Sequence, residues 1–144
     1  MYVGASVETR VLNTTSAIAF WVTSHRRREE WARVKQGQDG GNELWRLVKH
    51  LPAFEPWVGD GKVFSRRLWW DYDQLRHDPS HEMDYGLMNG FTLAARLMLV
   101  AVLLDKVAGS TVASECVARH YWQVGDKLKE LLADSDRCAV PTRR

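Results

Sequence analysis

A single long apolar segment, residues 86–104, constrains the fold of this chain more than any other feature. Its length approaches the roughly 20 residues that cross a bilayer. Its one charge, Arg96, lies at mid-segment, where membrane insertion would cost about 3 kcal/mol, and Asn89 and Thr92 add polarity. We therefore expect a central helix that is buried on nearly every side, in a protein with no membrane span.

The residues around this segment predict a long C-terminal helical hairpin. Ser80 can cap a first helix over residues 81–107, and Gly109 separates it from a second helix over residues 111–133. We expect the second helix to pack on the first through a heptad-like seam. The seam consists of Val117, Tyr121, Val124, Leu128 and Leu131. From about residue 135 the chain turns polar, and a flexible tail is expected there.

Two shorter helices are predicted before the hairpin. Apolar residues at helical spacing place them over residues 43–51 and 66–77, with Ser65 as the cap of the second helix. Prolines and closely spaced glycines predict a loop over residues 52–62.

The N-terminal residues, 2–35, fit two structures. Val7 and Val11 alternate with charged residues, as in a short β-hairpin. A cap at Asn13 or Thr14, followed by a broad apolar side, fits a helix, which we favour. The whole 144-residue chain is therefore predicted to be a single all-α domain. It would be a bundle of about five helices, with the N-terminal β-hairpin as the alternative at its start.

Charge and cysteine content narrow the class of protein. The formal net charge is only +2, so the chain as a whole is not a strong polycation, and any binding to nucleic acid must come from local patches. Cys116 and Cys138 lie in unrelated segments, and the N-terminus lacks the pattern of a secretory signal. We expect a cytoplasmic protein with reduced thiols.

Two clusters combine arginine with tryptophan, and both are candidate contacts to a nucleic-acid backbone. Guanidinium groups bind phosphate through two hydrogen bonds, and indoles stack on bases or on guanidinium groups. The first cluster comprises His25, Arg26, Arg27, Arg28 and Arg33, and the second comprises Arg66 and Arg67. Three neighbouring indoles are candidate protein contacts: Trp31, Trp69 and Trp70. The alternatives are solvated helix faces for the cations and core positions for the indoles.

No catalytic or metal-binding set of residues is complete. His77 and His81 are four residues apart, but Pro79 between them breaks a continuous helix. Cys116 and His120 share the same spacing and would need two further ligands from elsewhere for a closed zinc site. We expect no enzyme activity, no cofactor and no bound metal.

A small, mostly helical, arginine-rich chain with two arginine–tryptophan clusters, a long hairpin and no active site resembles the small subunit of multi-subunit CRISPR effector complexes. The resemblance is architectural and covers residues 13–133. It implies several copies stacked along a guide RNA beside other protein subunits. Basic helix faces would then touch the RNA or DNA backbone of the guide–target duplex or of the displaced strand. The near-neutral net charge departs from that pattern.

The alternative function is a protein–protein interaction module, such as a phage-encoded inhibitor or an immunity protein. In such a module, exposed tryptophan and arginine side chains would bind a partner protein. Salt-sensitive binding to nucleic acid separates the two functions.

Overall fold

The computed structural model describes residues 6–25 and 43–141, and within these residues the fold is helical with no strand. It contains eight α-helices and one 3₁₀ turn. They are α1 (Val7–His25), α2 (Glu43–His50), the 3₁₀ turn (Pro52–Phe54), α3 (Glu55–Val58), α4 (Lys62–His77), α5 (Tyr85–Ala108), α6 (Val112–His120), α7 (Trp122–Ala133) and α8 (Ser135–Cys138). The all-α prediction is confirmed, whereas the expected number of about five helices is too low.

The N-terminal segment is helical over Val7–His25, so the alternative of a β-hairpin is not supported in this part of it. Helix α1 begins before the predicted cap at Asn13, because the Oγ of Ser6 accepts a hydrogen bond from the backbone N–H of Thr9 at 3.2 Å. Val11 and Ile18, seven residues apart, are both fully buried on one face of α1. The alternation of valines with charged residues at the start of the segment therefore lies in a helix with one buried face.

Helix α4 begins at Lys62, earlier than the cap predicted at Ser65. Gly61, directly before it, has a φ of 80°, and a Cβ at this position would lie 2.5 Å from Cγ1 of Val48. Glycine alone satisfies both the backbone conformation and the close approach. Ser65 lies inside the first turn, where its hydroxyl donates to the carbonyl oxygen of Gly61 at 2.6 Å.

The segment predicted as a loop, residues 52–62, contains the 3₁₀ turn and α3. Its two prolines, Pro52 and Pro56, lie in the first turns of helices. Backbone N–H groups in a first turn have no acceptor within the helix, so a proline there costs no helical hydrogen bond. Phe54 and Trp57 are buried, and the 3₁₀ turn packs on α6 while α3 packs on α7, so the segment contributes to the core.

Helix α5 is the central element of the fold. It packs against α1, α6 and α7 and also touches α2 and α4. Phe91, Ala95 and Met98 are fully buried, which confirms that α5 forms the core. It is not buried on nearly every side, however, because one face is open to solvent. We call this face the apolar stripe; it consists of Leu93, Val100, Leu103, Leu104 and Val107.

By length and composition alone, α5 could cross a membrane. Its most apolar window has a mean hydropathy of 1.9, and half of that window is buried inside the protein. A core helix of a soluble protein has the same properties, so one such helix gives only weak support for a membrane span. A soluble helical protein fits this packing, and the cytoplasmic location stays a prediction.

The first arm of the predicted hairpin starts later than expected. Helix α5 begins at Tyr85, because the side chain of Asp84, and not that of Ser80, accepts a hydrogen bond from the backbone N–H of Leu87 at 3.0 Å. It ends at Gly109, whose φ of 71° is the left-handed conformation that terminates helices, as predicted.

The second arm is two helices and not one. Helices α6 and α7 meet at Tyr121, where φ is −97° and ψ is 33°, and this side chain is 42% exposed. Leu128 and Leu131 are buried, and Val117 and Val124 are half-buried against the core. The seam is therefore confirmed at four of its five predicted positions, and Tyr121 is the exception.

The flexible tail expected from about residue 135 instead begins with a docked helical turn, α8. Asp134 caps this turn by accepting a hydrogen bond from the backbone N–H of Arg137. Cys138 is 4% exposed, and its thiol donates to the carbonyl oxygen of Leu131 at 3.3 Å. Burial raises the pKa of this thiol above its ordinary value. The C-terminal segment is thus part of the packed fold.

Candidate functional site

Most of the first predicted cluster lies outside the described residues, namely Arg26, Arg27, Arg28 and Arg33, and so does the predicted protein contact Trp31. Its first member, His25, is the last residue of α1. The Nδ1 of His25 donates to the carbonyl oxygen of Trp21 at 2.7 Å, and the two rings stack with centroids 3.7 Å apart. The imidazole is therefore engaged within its own helix.

In the second predicted cluster, Arg67 is occupied by the protein itself. Its Nε donates to Oδ2 of Asp71 at 2.9 Å, and its Nη1 donates to the carbonyl oxygen of Ala139 at 2.7 Å. The guanidinium also lies 5.5 Å from the ring centroid of Trp70, and the side chain is only 11% exposed. These contacts inside the fold disfavour Arg67 as a contact to a phosphate backbone, which stays a prediction. Arg66, its neighbour, is exposed.

Trp69 and Trp70, predicted as protein contacts, are both half-buried. Trp69 packs against the core, with its ring centroid 5.2 Å from that of Tyr72. Trp70 lies edge-on to the ring of His81, with centroids 5.1 Å apart. Among the described tryptophans, Trp122 is the strongly exposed one.

The described members of the two predicted clusters do not lie together. Arg67 lies close enough to Asp84, at the start of α5, to lower the pKa of that carboxyl. His25 lines a groove with Val102 and Asp105, near the end of α5. Because α5 has 24 residues, it is about 36 Å long. The described members of the two clusters thus lie near opposite ends of the central helix.

The interactions around Arg67 centre on Asp71, a fully buried carboxylate on α4. Its Oδ2 accepts a hydrogen bond from Arg67, and its Oδ1 accepts one from Nε2 of His81, both at 2.9 Å. We call these three residues the Asp71 network. It connects α4 to the segment before α5, and the bond from Arg67 to Ala139 extends it to the C-terminal segment. This arrangement holds elements of the fold together.

A groove that the sequence prediction missed lies between α1, α5 and α7. Its volume is about 310 Å³, and each of the three helices contributes one cation to its lining. Arg10 comes from α1, Arg96 from α5 and Lys127 from α7. None of the described residues that line it is aspartate or glutamate. We call this feature the basic groove.

Two polar atoms in the lining of the basic groove are buried and make no hydrogen bond to any described residue. They are Nε of Arg10 and Oγ1 of Thr92, whose residue is only 3% exposed. Both atoms can donate a proton to an oxygen acceptor. Buried donors without a partner are rare because each costs about 1–3 kcal/mol of lost hydration.

The sequence of α5 explains how this wall of the groove forms. Asn89, Thr92 and Arg96 are three, four and seven residues apart, so they share one face of the helix. Gly90 lets α7 come close, since a Cβ at this position would lie 2.5 Å from Cδ1 of Leu131. The signal available in the sequence was Arg96, the lone charge of the apolar segment 86–104, on one face with two polar residues.

Acidic side chains near the basic groove are already paired. Lys127 lies 3.6 Å from Glu130 in an exposed ion pair. At the edge of the groove, Arg137 donates two hydrogen bonds to the carboxylate of Asp84, at 2.7 and 2.8 Å. The Arg137 guanidinium holds the pKa of Asp84 at about 2, well below its ordinary value. Arg137 thus balances Asp84, and Arg10 and Arg96 remain without an ion pair to any described residue.

Comparisons of this chain with protein-family models, with curated proteins and with solved structures found no match. The resemblance to small CRISPR subunits therefore stays a prediction. Within residues 6–25 and 43–141, no group of three or more histidine, cysteine, aspartate or glutamate side chains is placed to hold a metal ion. The basic groove is the feature whose geometry points to a ligand.

Proposed function

We propose that this protein is a non-catalytic subunit of a nucleoprotein assembly and that it binds the phosphate backbone of RNA or DNA through the basic groove. The observation that carries the proposal is the convergence of Arg10, Arg96 and Lys127 in a groove that no described acidic residue lines. Two donor atoms of its lining residues, Nε of Arg10 and Oγ1 of Thr92, have no hydrogen-bond partner among the described residues. Contacts of this kind position a backbone and carry no sequence preference.

This proposal uses residues outside the predicted clusters. Arg67 is used inside the fold, so it does not contribute. Arg66 and the residues from Arg26 to Arg33 stay predictions as additional contacts. Because the basic groove lies on a different part of the molecule from His25, the proposal does not depend on them.

Three cations give a modest affinity on their own. Each phosphate contact with a single strand changes the slope of log K against log salt by about 0.7, so the groove predicts a slope of about −2. A net charge of only +2 adds little long-range attraction. Tight binding would then come from several copies in one assembly, each contributing its own groove.

The second candidate, a protein–protein interaction module, is favoured by the apolar stripe. Its five side chains are 40–88% exposed along one face of α5. Contiguous exposed apolar surface often marks a contact with another protein. In the nucleoprotein assembly, the same stripe would pack against neighbouring subunits. Both functions therefore use the apolar stripe as a protein contact, and only the nucleoprotein function requires the basic groove to bind phosphate.

The test is binding of a short fluorescent oligothymidylate across a salt series. One variant replaces the groove cations: Arg10→Gln, Arg96→Gln and Lys127→Gln. A matched control replaces three cations elsewhere: Lys106→Gln, Arg119→Gln and Lys129→Gln. Each variant loses three positive charges and takes the formal net charge from +2 to −1.

We expect the wild type and the control to bind with a slope near −2, and the groove variant to lose binding and slope together. Equal losses of binding in the two variants would show that binding depends on the net charge of the protein and not on the basic groove. Absence of salt-dependent binding by the wild type would reject the proposal and favour the protein–protein module. Far-UV circular dichroism of each variant checks that the helices are retained.

A further inference from the structure

An apolar slot adjoins the basic groove on the same face of the molecule. The slot has a volume of about 250 Å³ and lies between α5 and α7. Gly90, Leu93 and Lys127 line both the slot and the groove, so the two depressions are adjacent. The remaining walls of the slot are Gln123, Val124 and Leu128.

Resting on the proposed function, we infer that the slot takes one unstacked base of a single-stranded nucleic acid whose phosphates lie in the basic groove. A nucleobase has two apolar faces and a polar edge. Leu93 and Val124 supply aliphatic surface for a face, and the slot is almost wholly apolar. The slot therefore offers the chemistry of a base directly beside the chemistry of a phosphate.

Lys127 lies where the slot and the groove meet. Its aliphatic stem can border the slot while its ammonium faces the anion, as long cationic side chains commonly do. A backbone that crosses Lys127 would hold its phosphates on the side of Arg96 and present a base on the other side. In a duplex the bases are stacked and paired, so the slot would select single strands.

The charge around the slot favours a polyanion as its occupant. A helix of a partner protein would follow the length of the apolar stripe, whereas the slot lies at one end of the stripe, beside three cations. An anionic lipid also combines phosphate with an apolar chain, and binding to lipid vesicles distinguishes it from a nucleic acid.

The test compares an oligothymidylate with an abasic oligonucleotide of the same length, which keeps the phosphates and lacks the bases. Leu93→Gln removes an aliphatic wall without changing charge. Leu104→Gln makes the same change outside the slot, on the same helix, and the two leucines are equally exposed at 45%. Val124→Thr is a second slot variant with nearly unchanged side-chain volume. A duplex of the same length and phosphatidylglycerol vesicles complete the set of probes.

We expect the wild type and Leu104→Gln to bind the oligothymidylate roughly fivefold more tightly than the abasic strand and the duplex. Leu93→Gln and Val124→Thr should bring this preference close to one and leave the salt slope unchanged. Equal binding of the abasic strand by the wild type would overturn the base slot and leave the groove proposal intact. Failure to bind either strand would reject the groove itself. Vesicle binding that depends on Leu93, without strand binding, would overturn the inference in favour of a lipid.

Discussion

The Asp71 network and the basic groove both use arginine, but in opposite ways. In the network, Arg67 donates hydrogen bonds to the carboxylate of Asp71 and to the carbonyl oxygen of Ala139, inside the fold. In the groove, Arg10 and Arg96 form no ion pair with any described residue. An arginine paired within the fold contributes stability, whereas an unpaired arginine in a concave surface remains open to a ligand. Local density of cations in the sequence does not distinguish the two.

The largest effect that follows from this comparison is on stability, at Asp71. We expect Asp71→Ala to lower the free energy of unfolding by about 3–5 kcal/mol, because it leaves Arg67 and His81 with unpaired polar groups in a mostly buried site. Urea unfolding followed by circular dichroism measures the change. Asp73→Ala is the control on the same helix, since Asp73 pairs with Arg76 at 3.5 Å near the surface and should cost less than about 1 kcal/mol. Similar losses at the two positions would contradict the structural role of the network.

The next effect is a pH dependence at Asp84. Because Arg137 lowers the folded-state pKa of this carboxyl to about 2, the ionised form stabilises the fold. This contribution is fully present above the ordinary value of 3.8 and is lost as the pH falls towards 2. Asp84→Asn keeps a side chain that can cap α5 and removes the charge. We expect it to cost about 1 kcal/mol at neutral pH, after allowance for solvent screening of a partly exposed pair.

The loss at Asp84→Asn should shrink as urea unfolding is repeated at decreasing pH, and wild type and variant should coincide only below pH 2. A constant difference between pH 7 and pH 2 would instead place the contribution in packing or capping. The pair lies beside the basic groove, so the same variant also shows whether the edge of the groove must be fixed for binding.

The smallest effect on stability is expected at Arg96. Its side chain is exposed and pairs with no described acidic residue, so Arg96→Gln should change the free energy of unfolding by less than about 0.5 kcal/mol. Thermal unfolding measures this change. A loss comparable to that of Asp71→Ala would assign Arg96 to the fold and remove the contrast between the two regions.

The sequence predicted the central helix well, because the signals for it are local. The apolar run and Gly109 place most of α5 and its end. Its start was misplaced because His81, expected in the first turn, is held by Asp71 from ten residues earlier. A contact between elements, and not a propensity, decides where this helix begins.

The candidate site was missed for the same reason. Arg10 and Lys127 come from opposite ends of the chain, and only the packing of α1 and α7 on α5 brings them to Arg96. Conversely, Arg67 was chosen because its neighbours in sequence are basic and aromatic, although its partner Ala139 is 72 residues away. The helical spacing of the polar residues in α5 predicts one wall of the groove, from Asn89 to Arg96, but it does not predict the cations opposite that wall.

The most direct test of this account sets one arginine of each region against the other. Binding of the fluorescent oligothymidylate is measured across a salt series for the wild type, Arg96→Gln and Arg67→Gln, with each variant shown to be folded at the temperature used. We predict that Arg96→Gln makes the salt slope shallower by about 0.7 at unchanged stability. Arg67→Gln should keep the wild-type slope while its unfolding midpoint falls. A shallower slope for Arg67→Gln, with a wild-type slope for Arg96→Gln, would contradict the assignment of the basic groove as the phosphate contact.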